Sequence, residues 1–181
     1  MVYFAALRPF TRPPFHSAMP LAKLRRDFGA VYYETLLLFK CFMNDDIINS
    51  SNAPEPVGLY PHARRVGNLL FLSGVGPRER GTKMIPGVEL NEKGEIISYD
   101  IEAQCRSVFQ NVRQIVEDAG SSWDQIVDVT VFLTNMKDDF AVYNRVYAEY
   151  FAENQPCRTT VEVGSLPTPI AVELKVIATI E

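Results

Sequence analysis

Arg158 and Glu173 are the side chains of this chain best suited to do chemistry. Arg158 lies in Pro156-Cys157-Arg158-Thr159-Thr160-Val161-Glu162-Val163, and Glu173 in Ala171-Val172-Glu173-Leu174-Lys175-Val176. A guanidinium is planar, permanently charged and forked, so it holds a small carboxylate through two parallel hydrogen bonds. A carboxylate held nearby orients or deprotonates a water. An arginine at a strand end is also commonly a surface ion-pair partner. Arg158, however, is in phase with Thr160 and Glu162 on a strand whose other side is more apolar. A carboxylate between Val172 and Leu174 is costly unless it is paired or put to use; its plain alternative is an ion pair with Lys175, two residues along on the same face. Together the two residues point to a small-acid site with a water to activate.

Other segments recur in a recognisable order: Gly58-Leu59-Tyr60-Pro61-His62-Ala63, Phe71-Leu72-Ser73-Gly74, Val131-Phe132-Leu133, Met136, Phe140 and Tyr143-Asn144-Arg145-Val146-Tyr147. With Arg158 and Glu173 they make the chain, from about residue 55 to its C-terminus, resemble the RidA (YjgF-type) enamine/imine deaminases. The resemblance implies cofactor-free, metal-free hydrolysis of enamine/imine acids to 2-oxo acids and ammonia. It gives Arg158 the substrate carboxylate, and Glu173 the attacking water and the proton for departing ammonia. Tyr60 would close over the substrate, and Ser73 and Gly74 would meet it through hydroxyl and backbone. Asn144 would either touch the ligand or satisfy backbone groups at a helix–sheet contact.

Two positions depart from the family pattern. Val75 stands where a glutamine usually follows Ser-Gly, and Thr160 where a cysteine is common. The general activity survives these changes better than any claim of identical substrate range. Pro61-His62-Ala63-Arg64-Arg65 is similar to the 2-aminomuconate deaminases of the same superfamily. A six-carbon dicarboxylate needs a second cationic contact, and Arg64 and Arg65 point to opposite faces of a strand, so only one serves. Alternatively both are edge charges that discourage strand aggregation. Substrates of the 2-aminomuconate type are the first expectation, 2-aminoacrylate or 2-aminocrotonate the second. A non-catalytic, chaperone-like trimer that binds small carboxylates is the rival from another class.

Composition narrows the field. The 181 residues carry a net charge of −4. Residues 1–42 hold Arg8, Arg12, Lys23, Arg25, Arg26 and Lys40 against Asp27 and Glu34, so the remainder is strongly acidic. That argues against nucleic acid, because phosphate binding needs a basic face. Cys41, Cys105 and Cys157 are odd in number and lack ligand spacing, and only His16 and His62 could join them, which disfavours zinc or a disulfide framework. No Ser-His-acid set is evident, and Gly74-Val75-Gly76 runs into Pro-Arg-Glu-Arg rather than a phosphate-binding helix. No apolar run approaches the roughly 18 residues of a membrane span. The reading is a soluble, cytoplasmic protein. The aromatic-rich, aperiodic residues 1–42 are either an organellar leader or an extension upstream of a natural start at Met43, and their scarcity of serine favours the second. Residues 43–181 then form one deaminase domain.

The elements that must position these side chains are legible. Ala63 to Gly67 and Leu69 to Val75 read as strands around a Gly67-Asn68 turn. Gly76 to Ser98 reads as a long loop or irregular hairpin turning at Asn91-Glu92-Lys93-Gly94. Ile101, Cys105, Val108, Phe109, Val112, Ile115, Val116 and Ala119 repeat at helical spacing behind an Asp100 cap. Ile126 to Thr134 is a strand; Phe140, Tyr143, Tyr147 and Phe151 stripe a second helix begun by Asp138 or Asp139. Thr159 to Gly164 and Ala171 to Ile180 close as strands. The order predicts an α+β fold with two helices on one face of a mixed sheet. For the other face, the resemblance implies a chorismate mutase-like homotrimer with sites between subunits.

Overall fold

The computed structural model describes residues 46–181. In chain order these form β1 (Asp46–Ile48), β2 (Ala63–Val66), β3 (Leu69–Leu72), β4 (Val88–Leu90), β5 (Ile96–Tyr99), α1 (Ile101–Asp118), β6 (Ile126–Leu133), α2 (Met136–Phe151), β7 (Cys157–Glu162) and β8 (Val172–Thr179). The strict alternation of β8, and that of β6 beyond a register shift between Ile126 and Asp128, buries one face of each inside a six-stranded sheet ordered β1-β2-β3-β8-β6-β7. Only β6 and β7 run parallel, because α2 carries the chain back between them and a parallel return needs such a crossover. The expected α+β arrangement is present, with both helices on one face.

That face is the core. Val129, Val131 and Leu133 of β6 and Val172, Leu174, Val176 and Ala178 of β8 are buried, beneath the apolar stripe of α1 from Ile101 to Val116. Phe109 gathers the helices, with ring centroids 4.9 to 6.3 Å from Trp123, Tyr143, Tyr147, Tyr150 and Phe151. The opposite face carries Ile47, Arg64, Phe71 and Ile177 in one cross-strand row and Glu173, Phe132 and Val161 in another. Ile47 and Val161 are exposed there.

The caps show where local chemistry decided the boundaries. Asp100 accepts hydrogen bonds from the Glu102 and Ala103 N–H groups and starts α1 as expected, a contribution of about 1 kcal/mol. The start of α2 is a correction. Asn135 is the cap, accepting from the Asp138 N–H, while Asp138 and Asp139 sit in the first turn, where a negative charge suits the helix dipole. The segment expected as a loop or irregular hairpin is a two-stranded hairpin of β4 and β5 with a register shift at Glu89/Leu90. β1, which carries no period legible in sequence, is an edge strand on β2. The expectation for residues 1–42 lies outside the described residues.

Candidate active site

The chain holds two half-sites. The first surrounds Glu173. The β3 strand ends at Leu72, and Ser73 and Gly74 continue toward Val75, whose N–H and C=O both bond Leu174 at 2.8 and 2.9 Å. This bridge draws Gly74 against the neighbouring Glu173. A Cβ on Gly74 would lie 2.5 Å from Glu173 Oε1 and 2.9 Å from its Cδ. Glycine is therefore required for the carboxylate to lie where it does. Burial raises the Glu173 pKa above the ordinary glutamate value, which makes this carboxylate a stronger base than an exposed one. No ion pair joins it to Lys175 among the described residues.

Tyr60, Ser73 and Gly74 line one pocket with Pro54, Pro56, His62, Val75 and Arg78. Ser73 Oγ donates to the Pro61 carbonyl at 2.6 Å, fixing the turn that carries Tyr60. Tyr60 is 41% exposed, and its hydroxyl accepts from the Val57 N–H at 3.3 Å. His62 is structural: Nδ1 accepts from the Ser50 N–H at 3.1 Å and Nε2 lies 3.0 Å from the Pro54 carbonyl. Both ring nitrogens are engaged in holding the wall.

The second half-site surrounds Arg158. In the parallel pairing, Arg158 is opposite Val129 and Thr160 opposite Val131, so both project to the helix-covered face. Arg158 Nη1 donates to Asn144 Oδ1 at 2.9 Å. Its guanidinium lies 4.6 Å from the Tyr147 ring centroid and 5.9 Å from that of Phe140. Asn144 and Tyr147 are three residues apart on α2, on one helical face, so the amide aims the fork and the ring supports its flat side. Asn144 thus positions the arginine. The hydroxyls of Thr160 and Tyr147 are buried beside it without a partner. Glu162, in phase with Arg158, accepts from the Met136 N–H at 2.7 Å and ties this strand to the start of α2.

Glu173 is opposite Phe132, three β6 residues beyond the Arg158 partner Val129, and faces the other side of the sheet. Three residues of strand span about 10 Å, and the sheet lies between the two side chains. One chain does not bring them onto one small ligand. Of the two further arginines, Arg65 bonds its own turn through Nε to the Gly67 carbonyl at 2.9 Å. Arg64 sits on the open face in the row of Phe71 and Ile177. Neither lines the Tyr60 pocket; Arg78 does. Arg78 was passed over in sequence because the loop after Gly74 carries no phosphate-binding pattern, although its place four residues beyond Gly74 was a signal. Tyr147 was read as helix stripe and as part of the recurring segment that holds Asn144, with no role at Arg158, although its spacing from Asn144 aims it at the same strand. Among the described residues there is no cluster of three His, Cys, Asp or Glu groups able to hold a metal ion, and no helix is long and apolar enough to cross a membrane.

Comparison with known proteins adds a lineage to this geometry. Residues 50–180 match the family model described as endoribonuclease L-PSP. A RutC family protein of Pyrococcus horikoshii is 41% identical over 133 residues, covering 74% of this chain and 96% of its own length. The chloroplast Reactive Intermediate Deaminase A of Arabidopsis thaliana is 32% identical over 135 residues, 75% of this chain and 66% of that protein. The crystal structure of E. coli TdcF with bound serine superposes with a TM-score of 0.64 at 33% identity, covering 75% of this chain and 99% of that one.

Proposed function

Since the chain belongs to the endoribonuclease L-PSP family, which includes a reactive intermediate deaminase, we propose that it hydrolyses enamine/imine acids to 2-oxo acids and ammonia. The observation that carries this reading is the half-buried Glu173, its pKa raised, held against Gly74 beside a pocket that Tyr60 and Ser73 line. Arg158, aimed by Asn144 and backed by Tyr147, is the carboxylate fork. A solved relative with serine bound supports a small amino- or oxo-acid ligand.

The enamine first tautomerises to the imine while its carboxylate rests on Arg158. Water then adds to the imine carbon as Glu173 takes its proton. Glu173 returns that proton to nitrogen, completing the carbinolamine; the carbinolamine hydroxyl then gives its own proton to Glu173, which passes it to the amino nitrogen, and as the carbonyl forms the carbon–nitrogen bond breaks and ammonia leaves with a 2-oxo acid behind. Imines of this kind hydrolyse slowly unaided, so positioning and electrostatics suffice. Because Arg158 and Glu173 occupy opposite faces of one sheet, a neighbouring copy supplies the arginine to each Glu173 pocket, in the closed homotrimer that the family resemblance implies. That copy also covers the apolar row of the open face. Cleavage of RNA fits less well. The only described histidine is tied into a wall, and the deaminase region is acidic.

The test is ammonia release from dehydratase-generated 2-aminoacrylate and from 2-aminomuconate, measured over the uncatalysed rate. Acceleration that Arg158→Ala and Glu173→Gln each remove supports the assignment. Binding of 2-oxo acids with no acceleration of either imine selects the non-catalytic carboxylate-binding trimer instead.

A further inference from the structure

We propose that the groove between the β4–β5 hairpin and the turn before β8 binds a small organic acid with an apolar body, its carboxylate held by Lys83. The inference does not rest on the deaminase reading, and of the groove's lining only Arg78 belongs also to the Tyr60 pocket. Val57, Ile85, Leu90 and Pro169 come from four separate segments of the chain to line a cavity of about 430 Å³, a size suited to a small molecule. An adjoining cavity of about 370 Å³ shares Lys83, Ile85 and Leu90. Ile85 is buried, while Val57 and Leu90 remain 52% and 43% exposed, so an apolar ligand would cover surface that the fold leaves in water.

Charge selects the ligand. Neither lining contains a carboxylate, although the chain carries 22 acidic against 18 basic residues. Arg78 is already engaged: Nη2 donates to the Glu55 carbonyl, and its charge acts on the Glu55 carboxylate. The Lys83 ammonium has neither an ion pair nor a hydrogen bond among the described residues. The backbone around it is fixed. The Met84 N–H donates to Thr82 Oγ1 at 3.1 Å and the Glu79 N–H to the Met84 carbonyl at 3.0 Å. From α1, Ser107 Oγ donates to the Pro77 carbonyl at 2.7 Å, and Asn111 Nδ2 to the Gly76 and Arg78 carbonyls at 2.9 Å, so the start of the same loop is pinned as well. One unpaired ammonium beside apolar walls fits one carboxylate on an apolar body. A second charge on the ligand would meet no free partner there.

The test titrates 3-phenylpropanoate and its uncharged amide into the assembled full chain by calorimetry. Wild type is expected to bind the acid about tenfold more tightly than the amide, the scale of one hydrogen bond to a charged group. Lys83→Ala should weaken the acid about tenfold and change the amide by less than about twofold. Leu90→Asp should weaken both. Arg158→Ala should change neither, which separates this groove from the carboxylate fork on β7. If Lys83→Ala fails to fold, Lys83→Gln decides the matter in its place. No binding by wild type, equal affinity for acid and amide, unchanged affinities on Leu90→Asp, or loss of the acid on Arg158→Ala overturns the proposal. A changed solution mass on Leu90→Asp overturns it as well, because a second copy would then cover the groove.

Discussion

Arg158→Ala and Glu173→Gln, each inactive as a pure protein, are expected to regain activity when their subunits are mixed. The two side chains project from opposite faces of one sheet, offset by three residues of strand, so on the proposed reading each complete site would take its arginine from one copy and its glutamate from the next. Removing the arginine truncates a charge held by Asn144 and stacked on Tyr147. Arg158 is exposed in the single chain; once a neighbouring copy and the substrate bury it, loss of such a charge partner costs about 2 to 5 kcal/mol, enough to silence binding at ordinary substrate concentrations. Glu173→Gln preserves shape and removes the base, so it lowers kcat while leaving 2-oxo acid affinity largely intact. In an equal mixture that reassorts at random, a site is complete when the arginine donor is a Glu173→Gln chain and the glutamate donor is an Arg158→Ala chain. That happens at about one site in four for any closed ring of identical contacts. The assay is ammonia release after mild denaturation and co-refolding, with subunit exchange confirmed by mass spectrometry of differently tagged chains. Verified mixed oligomers with no recovery would refute the shared site and return both residues to separate roles.

Gly74→Ala places a Cβ into the Glu173 carboxylate. A displacement of about 1 Å at a reacting group costs on the order of 10²-fold, so kcat should fall while binding through Arg158 persists; wild-type kcat would show that the carboxylate position is immaterial. Glu173 also predicts a pH effect on stability. Its folded pKa lies above the ordinary value of 4.5 because burial disfavours the charge. Between those two values the native state holds more protons than the unfolded one, so stability falls as pH rises through that window and the loss is complete above it. Glu173→Gln should therefore melt higher than wild type at neutral pH, with the difference shrinking below pH 4.5; a difference independent of pH would point to another cause. A protein beginning at Met43 is expected to match the full chain in melting temperature, solution mass and activity, and an unfolded or monomeric product would make residues 1–42 part of the working protein.

Several features of the fold were legible because they depend on local chemistry. The α1 stripe, the Asp100 cap and the alternation in β6 and β8 each follow from side chains within one element. The start of α2 was misplaced by three or four residues because Asn135, Asp138 and Asp139 are all competent caps, and only the bond from the Asp138 N–H to Asn135 selects one. β1 was missed because three residues carry no period. Its edge position depends on pairing with β2.

The candidate site divides the same way. Sequence by itself determined which residues carry charge or nucleophilic chemistry and, through spacing, which strand face each occupies. Arg158 was expected in phase with Thr160 and Glu162, and all three turn toward the helices. What only the tertiary structure decided was adjacency. The Val75–Leu174 bridge sets Gly74 against Glu173, α2 lays Asn144 and Tyr147 on Arg158, and the sheet separates the acid from the arginine. Alternation constrains side chains along one strand. Which strands lie side by side, and which loop α1 pins beside the pocket, depends on contacts between residues distant in the chain, where no local period acts.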